Sequence, residues 1–209
     1  MAWASCCLAV SPKADLPLTT RLARCQPAIP VRENGLLAIR HPQGAQVSPQ
    51  ALFGISVAFG FVAWSIVTAL YIWPALRSQP HLEALRPLLV LHGFRFVGLA
   101  FLVPGVVSAD LPAAFAQPAA YGDIAAAALA LIALAALRSK AGIFLVWVFN
   151  LWGTADLLYA FYQSNSVGLQ PGHLGAAFFI PTFIVPLLLI THGLVFWILL
   201  RRNPVAMGA

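Results

Sequence analysis

The sequence predicts an all-α protein that crosses a membrane as a bundle of about five helices. Of the 209 residues, 61% are hydrophobic and 9% are charged, whereas a soluble domain is about half apolar and about a quarter charged. The apolar residues fall in stretches of ~20, the length that a helix needs to cross about 30 Å of hydrocarbon. Because backbone N–H and C=O groups cannot stay unpaired in lipid, each stretch is expected to be a helix.

The spanning stretches all come after residue 50. They are residues 51–73, 87–107, 119–137, 142–162 and 174–200. Residues 1–50 contain no apolar run of that length and hold five of the twelve basic residues and six of the sixteen prolines. They are predicted to be a disordered basic leader, with a misassigned start or removal from the mature protein as alternatives. Residues 203–209 are predicted to be a cytoplasmic tail.

The loops predict the orientation of the chain. Six basic residues fall on one side of a five-helix chain, whereas the opposite loops, 108–118 and 163–173, hold none. The six are Arg77, Arg86, Arg138, Lys140, Arg201 and Arg202. The positive-inside rule then places the C-terminus in the cytoplasm and the N-terminus outside. We therefore expect a multi-pass protein of the bacterial inner (plasma) membrane, whose net charge of +6 suits anionic lipid and not nucleic acid.

Five polar residues inside the predicted spans form a candidate site for a ligand or a proton relay. An ionisable group in a bilayer is costly unless it is paired or hydrated, so each such residue is a functional candidate. The five are Arg95, Asp123, Asn150, Asp156 and His192.

Depth along the predicted helices sorts these residues into two layers. Arg95 is eight residues into its span, about 12 Å deep, and is placed in a central to inner layer with Asn150 and His192. Asp123 and Asp156 fall in the outer layer. The simplest network pairs Arg95 with Asp156, because a guanidinium can bind a carboxylate through two N–H groups. Asn150 is expected to bridge this pair and Asp123 to face external water.

This network has two interpretations. In the functional one it lines a polar cavity that binds or passes a small solute or protons, and the positive charge of Arg95 favours an anionic group. In the other it only fixes the register of the helices and holds no ligand. No cofactor is needed for either.

Two histidines support an alternative function, that of a redox membrane subunit. His92 and His192 both fall in the inner half of the bilayer on different helices, as axial ligands of a haem b would. A core histidine hydrogen-bonded to a neighbour is the commoner explanation, and no CxxCH motif for covalent haem attachment is present.

The sequence contains no recognised catalytic set. The GxSxG, GxxxxGK[ST], GxGxxG and HExxH patterns are absent, so no catalytic or metal-binding residue is assigned. A third hypothesis is a non-catalytic subunit of a membrane complex. Small residues recur at helical spacing in the third span and suit packing against a second copy, a partner subunit or another helix of the chain. They are Ala126, Ala130, Ala133 and Ala136.

Residues 90–200 resemble a family of small uncharacterised bacterial integral membrane proteins. The matching segments are Arg95-Phe96-Val97-Gly98, residues 111–118 running into Gly122-Asp123, Asn150-Leu151-Trp152-Gly153 with Asp156, and residues 180–186 leading to His192. The resemblance implies a polytopic inner-membrane protein and carries no activity. His92 and the leader lie outside the family pattern.

Overall fold

The computed structural model describes residues 47–201, so residues 1–46 of the predicted leader and the predicted tail lie outside the described residues. Within that range the chain forms five long helices and no strand. Each helix is long and apolar enough to span a membrane, which confirms the predicted all-α architecture. The five are α1 (Pro49–Arg77), α2 (His81–Leu102), α3 (Ala113–Ala136), α4 (Gly142–Ser166) and α5 (Ile180–Leu200).

Helix α2 begins and ends earlier than the predicted span of 87–107. Its first turns contain charged residues that pair with one another: Glu83 accepts hydrogen bonds from Arg86 at 3.1 Å and from Arg138 of the α3–α4 turn at 3.2 Å. From Phe94 to Leu102 the helix takes the tighter 3₁₀ form, which rises about 2.0 Å per residue. The chain then leaves the helix and turns at Gly105, where φ is 85°.

Helix α3 begins at Ala113 and not at the predicted residue 119. Pro118 therefore lies inside the helix, where a proline has no N–H to donate to the carbonyl four residues earlier. Here that carbonyl, on Ala114, accepts instead from Nε2 of Gln163 on α4, at 3.3 Å. A neighbouring side chain therefore replaces the lost backbone bond, and the helix continues through the proline.

The predicted fifth span of 174–200 is wrong over its first six residues. Residues Pro171–Phe178 form a short 3₁₀ helix, interrupted at Gly175 with φ 51° and ψ −131°. The spanning helix starts at Ile180, and its first turn, Ile180–Ile184, is a π-helix. Pro186 cannot donate to the Thr182 carbonyl, and Gly60 of α1 packs directly against that oxygen.

The core of the bundle consists of two apolar clusters separated by a polar layer. The basic-end cluster is formed mainly by Leu85, Leu89, Phe149, Val195 and Ile198. The opposite cluster includes Phe101, Phe115, Ala120, Leu174 and Ile180. The buried polar side chains of α2 to α5 fall between the two clusters along each helix, so the fold confines them to one level of the bundle.

The basic loops meet at one end of the bundle. Arg201 donates to the Gln79 carbonyl at 2.7 Å, and Arg138 donates to Glu83 across the same end. These contacts place Arg138 and Arg201 on one face, whereas Arg202 lies outside the described residues. Which side of the membrane that face occupies stays a prediction.

The small-residue face of α3 is covered within the chain. Ala126, Ala130 and Ala133 are fully buried, and Ala130 and Ala133 pack in the basic-end cluster with leucines of α2. Of the interpretations left open for this face, packing against another helix of the chain is the one observed. Ala136, the fourth residue of the face, is partly exposed, and a homodimer or a membrane-complex partner stays a prediction.

Candidate functional site

Arg95 of α2 lies at the centre of the polar layer and is 1% exposed. Its Nε donates to Oδ1 of Asp123 at 2.8 Å, and its Nη2 donates to Oδ2 of Asp156 at 2.6 Å. Nη2 also lies 2.7 Å from Oδ1 of Asp123. Nη1 donates to the Gly153 carbonyl at 3.1 Å and approaches Nε2 of His192 at 3.3 Å. Every nitrogen of the guanidinium therefore has a partner within the chain.

Asp123, Arg95 and Asp156 form a buried triad that contains one more acid than base. Their side chains are 9%, 0% and 12% exposed respectively. Across residues 47–201, no second Lys or Arg pairs with either carboxylate. With both carboxylates ionised, the triad would carry a net charge of −1 in an apolar medium, where an unbalanced charge is costly.

His192 is held in one neutral tautomer by the groups around it. An arginine can only donate, so Nε2 of His192 accepts from Arg95 and the ring proton is on Nδ1. That nitrogen donates to Oδ1 of Asn150 at 2.7 Å, and Nδ2 of Asn150 donates back to the His192 carbonyl at 3.3 Å. The amide therefore fixes the imidazole, which in turn buttresses the arginine.

His92 extends the polar layer toward the basic end. Its ring lies 4.1 Å from the ring of His192 between centroids, and its Nε2 is 3.1 Å from Oγ1 of Thr191. Nδ1 of His92 is buried without a hydrogen-bond partner among the described residues. Beyond His92 the neighbours are the leucines and Phe149 of the basic-end cluster, so the polar layer stops here.

The histidine geometry does not fit the haem alternative. Axial ligands stand on opposite faces of a porphyrin, whereas these two rings contact each other directly. Both ring nitrogens of His192 are already engaged, one by Arg95 and one by Asn150. In this arrangement the two rings leave no gap for an intervening porphyrin.

Three glycines allow the helices to close around the triad. A Cβ added at Gly98 would lie 2.7 Å from Cβ of Asp123, and one at Gly122 would lie 2.5 Å from Cγ of Asp156. A Cβ at Gly153 would lie 2.6 Å from Cε1 of His192 and 2.7 Å from Nη1 of Arg95. Any side chain at these positions would push a triad or histidine group out of place.

The triad borders a small cavity on the side away from the basic end. Asp123 and Asp156 contribute to its wall, and most other lining side chains are apolar, among them Phe53, Phe101 and Phe115. Its free volume is about 40 Å³, which is enough for about one water molecule at the ~30 Å³ that a water occupies in the liquid. It is called the inner cavity below.

A second, wider cavity adjoins the inner cavity and leads to the surface. The two share Phe53, Ser164 and Leu169, and the second is also lined by the exposed Gln50 and Asn165. These residues lie near the start of α1 and the end of α4. The two cavities thus follow one another from the carboxylates toward the end of the bundle opposite the basic loops, with these three side chains as their common wall. In the other direction the apolar basic-end cluster fills the bundle.

The structure brings all five predicted site residues into one connected network. The expected contact between Arg95 and Asp156 is present, at 2.6 Å. Two expected details are wrong: Asp123 is 6% exposed and pairs with Arg95, and Asn150 contacts His192 and does not bridge Arg95 to Asp156.

The error over Asp123 follows from the misplaced starts of α3, which puts Asp123 ten residues into its helix, and of α2. Arg95 is fourteen residues beyond His81, so it lies about 21 Å along the helix and not the ~12 Å expected from a start at residue 87. At that depth its side chain reaches the level of both carboxylates. The two predicted layers are therefore one layer.

Sequence reasoning missed Gly122, Gly153 and Thr191 as parts of the site. A glycine inside a helix costs about 1 kcal/mol relative to alanine, so two glycines within helices that also carry the acids were a usable signal. Thr191 gave no such signal, because a threonine in a membrane helix usually bonds its own backbone, as it does here to the Leu187 carbonyl at 2.9 Å.

Residues 52–200 match the protein family described as Domain of unknown function (DUF8737). The chain belongs to this family. No curated protein and no solved structure matches the chain. Membership assigns no activity, and the resemblance to small bacterial membrane proteins stays a prediction. The function therefore has to be inferred from the triad, its cavities and its charge.

Proposed function

We propose that the protein binds protons within the bilayer at the Asp123–Arg95–Asp156 triad and transports them across the membrane. One observation carries this proposal: two buried carboxylates share a single guanidinium. A proton bound to either carboxylate makes the triad neutral, and like charges this close cannot both be retained cheaply in an apolar interior.

The occupied donors of Arg95 favour a proton over the anion expected from the sequence. Each guanidinium nitrogen already contacts an oxygen or nitrogen of the chain. An incoming anion would have to displace a carboxylate and would add to the negative charge. A proton needs neither change, and the inner cavity has room for the water that would deliver it.

The cavities support access from one side at a time. Water can approach the carboxylates from the end lined by Gln50 and Asn165, which the positive-inside pattern of the loops places outside the cell. The neutral His192 and Asn150 lie on the other side of Arg95, ahead of an apolar barrier. Release toward the cytoplasm then needs that barrier to open, as alternating access requires.

The test is proton flux into vesicles that contain the purified protein. A potassium gradient with valinomycin sets the membrane potential, and a trapped pH indicator reports proton entry. We expect flux above that of protein-free vesicles, loss of that flux in Asp156→Asn, and its retention in Asp156→Glu, which keeps a titratable group. Asp110→Asn is the matched control, since Asp110 is an exposed loop residue.

Two results would contradict the proposal. One is wild-type flux no greater than that of protein-free vesicles at a range of potentials and pH gradients. The other is undiminished flux in folded Asp156→Asn and Asp123→Asn proteins. If the wild-type protein is stably folded, either result would favour the interpretation in which the triad only fixes the register of the helices.

A further inference from the structure

Asp156 borders a second space, a groove on the lipid-facing surface between α3 and α4. The groove is lined by Pro118, Tyr121, Gly122, Trp152, Ala155, Asp156 and Tyr159, and its volume is about 390 Å³. That volume lies within the range of about 300–1,000 Å³ typical of small-molecule sites. Asp156 is therefore the common wall of the inner cavity and this groove.

The groove combines aromatic walls with an acidic floor. Tyr121, Trp152 and Tyr159 are 60%, 50% and 48% exposed. Trp152, Asp156 and Tyr159 are spaced four and three residues apart, so they share one face of α4. Aromatic faces carry negative electrostatic potential and attract cations within about 6 Å. The aromatic walls and the acidic floor of the groove thus both favour a positively charged ligand.

Gly122, which also lines the groove, lets the carboxylate of Asp156 approach α3 closely. It lies opposite Asp156 on α3, and a Cβ there would collide with the carboxylate. Arg95 holds Oδ2 of Asp156 at 2.6 Å from the inner side. The other oxygen, Oδ1, is the atom that faces Gly122, so one oxygen of this carboxylate is bonded inward while the other lies beside the groove.

The floor of the groove lies deep in the membrane, so a ligand that binds there must enter from the bilayer. Asp156 is ten residues before the end of α4 at Ser166, which places it about 15 Å along the helix from that end. A helix of 25 residues is about 37 Å long and exceeds the hydrocarbon thickness of about 30 Å by only a few ångströms at each end. The floor of the groove therefore lies well below the layer of lipid headgroups.

We propose that this groove binds lipid-soluble organic ammonium ions, with Asp156 as the counter-ion and Tyr121, Trp152 and Tyr159 as the walls. The inference rests on the proposed function, because it uses the same surplus acid. Cation and proton then compete for one carboxylate: binding of the cation releases the proton from the protonated triad. Exchange of protons for amines entering from the bilayer is the transport reaction that follows.

The test uses benzyltrimethylammonium, whose charge cannot be lost, so that any released proton comes from the protein. Its uncharged isostere neopentylbenzene and the anion benzylsulfonate are the comparison ligands. Calorimetric titrations are made on the full chain in dodecyl maltoside, an uncharged detergent without an ammonium group, and a pH indicator in weakly buffered solution counts protons released. We expect saturable binding of the cation alone, with up to one proton released per cation bound.

Trp152→Leu is expected to weaken cation binding by about fivefold or more, as loss of a cation–π contact does. Gly122→Ala should weaken it as well, because the added Cβ would displace the carboxylate of Asp156. Phe144→Leu is the matched control, since Phe144 is on the same helix, is 68% exposed and does not line the groove. Each variant is first compared with the wild type for monodispersity and melting temperature.

Three results would overturn the inference: equal affinity for neopentylbenzene, no saturable binding of the cation, or equal effects of Trp152→Leu and Phe144→Leu. Competition by glycerophosphocholine would assign the groove to a lipid headgroup and would also overturn it. Proton flux that depends on Asp156 without cation binding would remove this inference and leave the proposed function standing. Cation binding that releases protons, without proton flux across the vesicle membrane, would remove the proposed transport and leave the cation site standing. Cation binding without proton release would overturn the inference.

Discussion

Replacing Arg95 with methionine tests whether the two carboxylates depend on it. Methionine has a comparable length and no charge, so the substitution removes the guanidinium and leaves little empty space. Asp123 and Asp156, which are 9% and 12% exposed, then face each other without a cation, and the Gly153 carbonyl loses the donor that lies 3.1 Å away. Removing one partner of a buried ion pair costs about 3–5 kcal/mol, and we expect Arg95→Met to lower the free energy of unfolding by that amount.

The same reasoning predicts that the loss is recovered when the acids are neutralised as well. The triple variant Arg95→Met, Asp123→Asn, Asp156→Asn has no unbalanced charge, and its two amides can bond each other. Replacing a whole buried ionic group by neutral residues is often close to neutral in stability. We therefore expect the triple variant to be more stable than Arg95→Met alone, although it carries two further substitutions.

The assay is equilibrium unfolding by sodium dodecyl sulfate in mixed micelles, followed by circular dichroism. Arg138→Met is the matched control, because Arg138 is 76% exposed and pairs with Glu83 at the end of the bundle. It should leave the unfolding transition unchanged, as expected for an exposed pair. The reasoning would be refuted by Arg95→Met falling within about 1 kcal/mol of the wild type, or by a triple variant less stable than Arg95→Met.

Three further predictions follow from the same contacts and from the charged loops. Gly153→Ala should lower the free energy of unfolding by about 1–3 kcal/mol, the usual cost of overpacking, because the new Cβ meets His192 and Arg95. Gly54→Ala is the control, since no atom lies within 4 Å of the added Cβ, and it should not lower the stability in the same assay. Asn150→Ala should cost about 1–3 kcal/mol, since it leaves the Nδ1 proton of His192 buried without an acceptor, and an equal loss in Asn150→Ala and Thr154→Ala would contradict that role. A green fluorescent protein fused to the C-terminus should fluoresce and an alkaline phosphatase fused there should be inactive, because the basic loops favour a cytoplasmic end; the opposite pattern would reverse the orientation.

The number and position of the helices could be predicted because lipid imposes a simple rule. Each apolar stretch must be a helix, so a count of stretches is a count of helices. The helix limits were less certain, since they depend on contacts that the sequence does not reveal. Helix α3 continues through Pro118, where Gln163 replaces a lost hydrogen bond. Helix α5 starts after a short 3₁₀ helix that is interrupted at Gly175, which takes a conformation suited to glycine.

The charged members of the site and the contact between Arg95 and Asp156 could be predicted, but the contact between Arg95 and Asp123 could not. Arg95, Asp123 and Asp156 could be identified because charged residues are rare inside apolar membrane spans. Their pairing depends on how far each side chain lies along its helix, and an error of six residues at the start of α2 moved Arg95 by about 9 Å. Depth along a helix could not predict the glycines that let the acids approach Arg95, and it could not predict the groove.

The measurement that tests the central claim most directly is the infrared spectrum of the purified protein with ¹³C-labelled aspartate, recorded across a pH titration. If the triad binds one proton, the spectrum at neutral pH contains the carbonyl band of one aspartic acid buried in an apolar site. That band is absent from the triple variant Arg95→Met, Asp123→Asn, Asp156→Asn. It is unchanged in Asp110→Asn. A neutral-pH spectrum with no carboxylic acid band, in a protein whose unfolding transition is intact, would contradict the account.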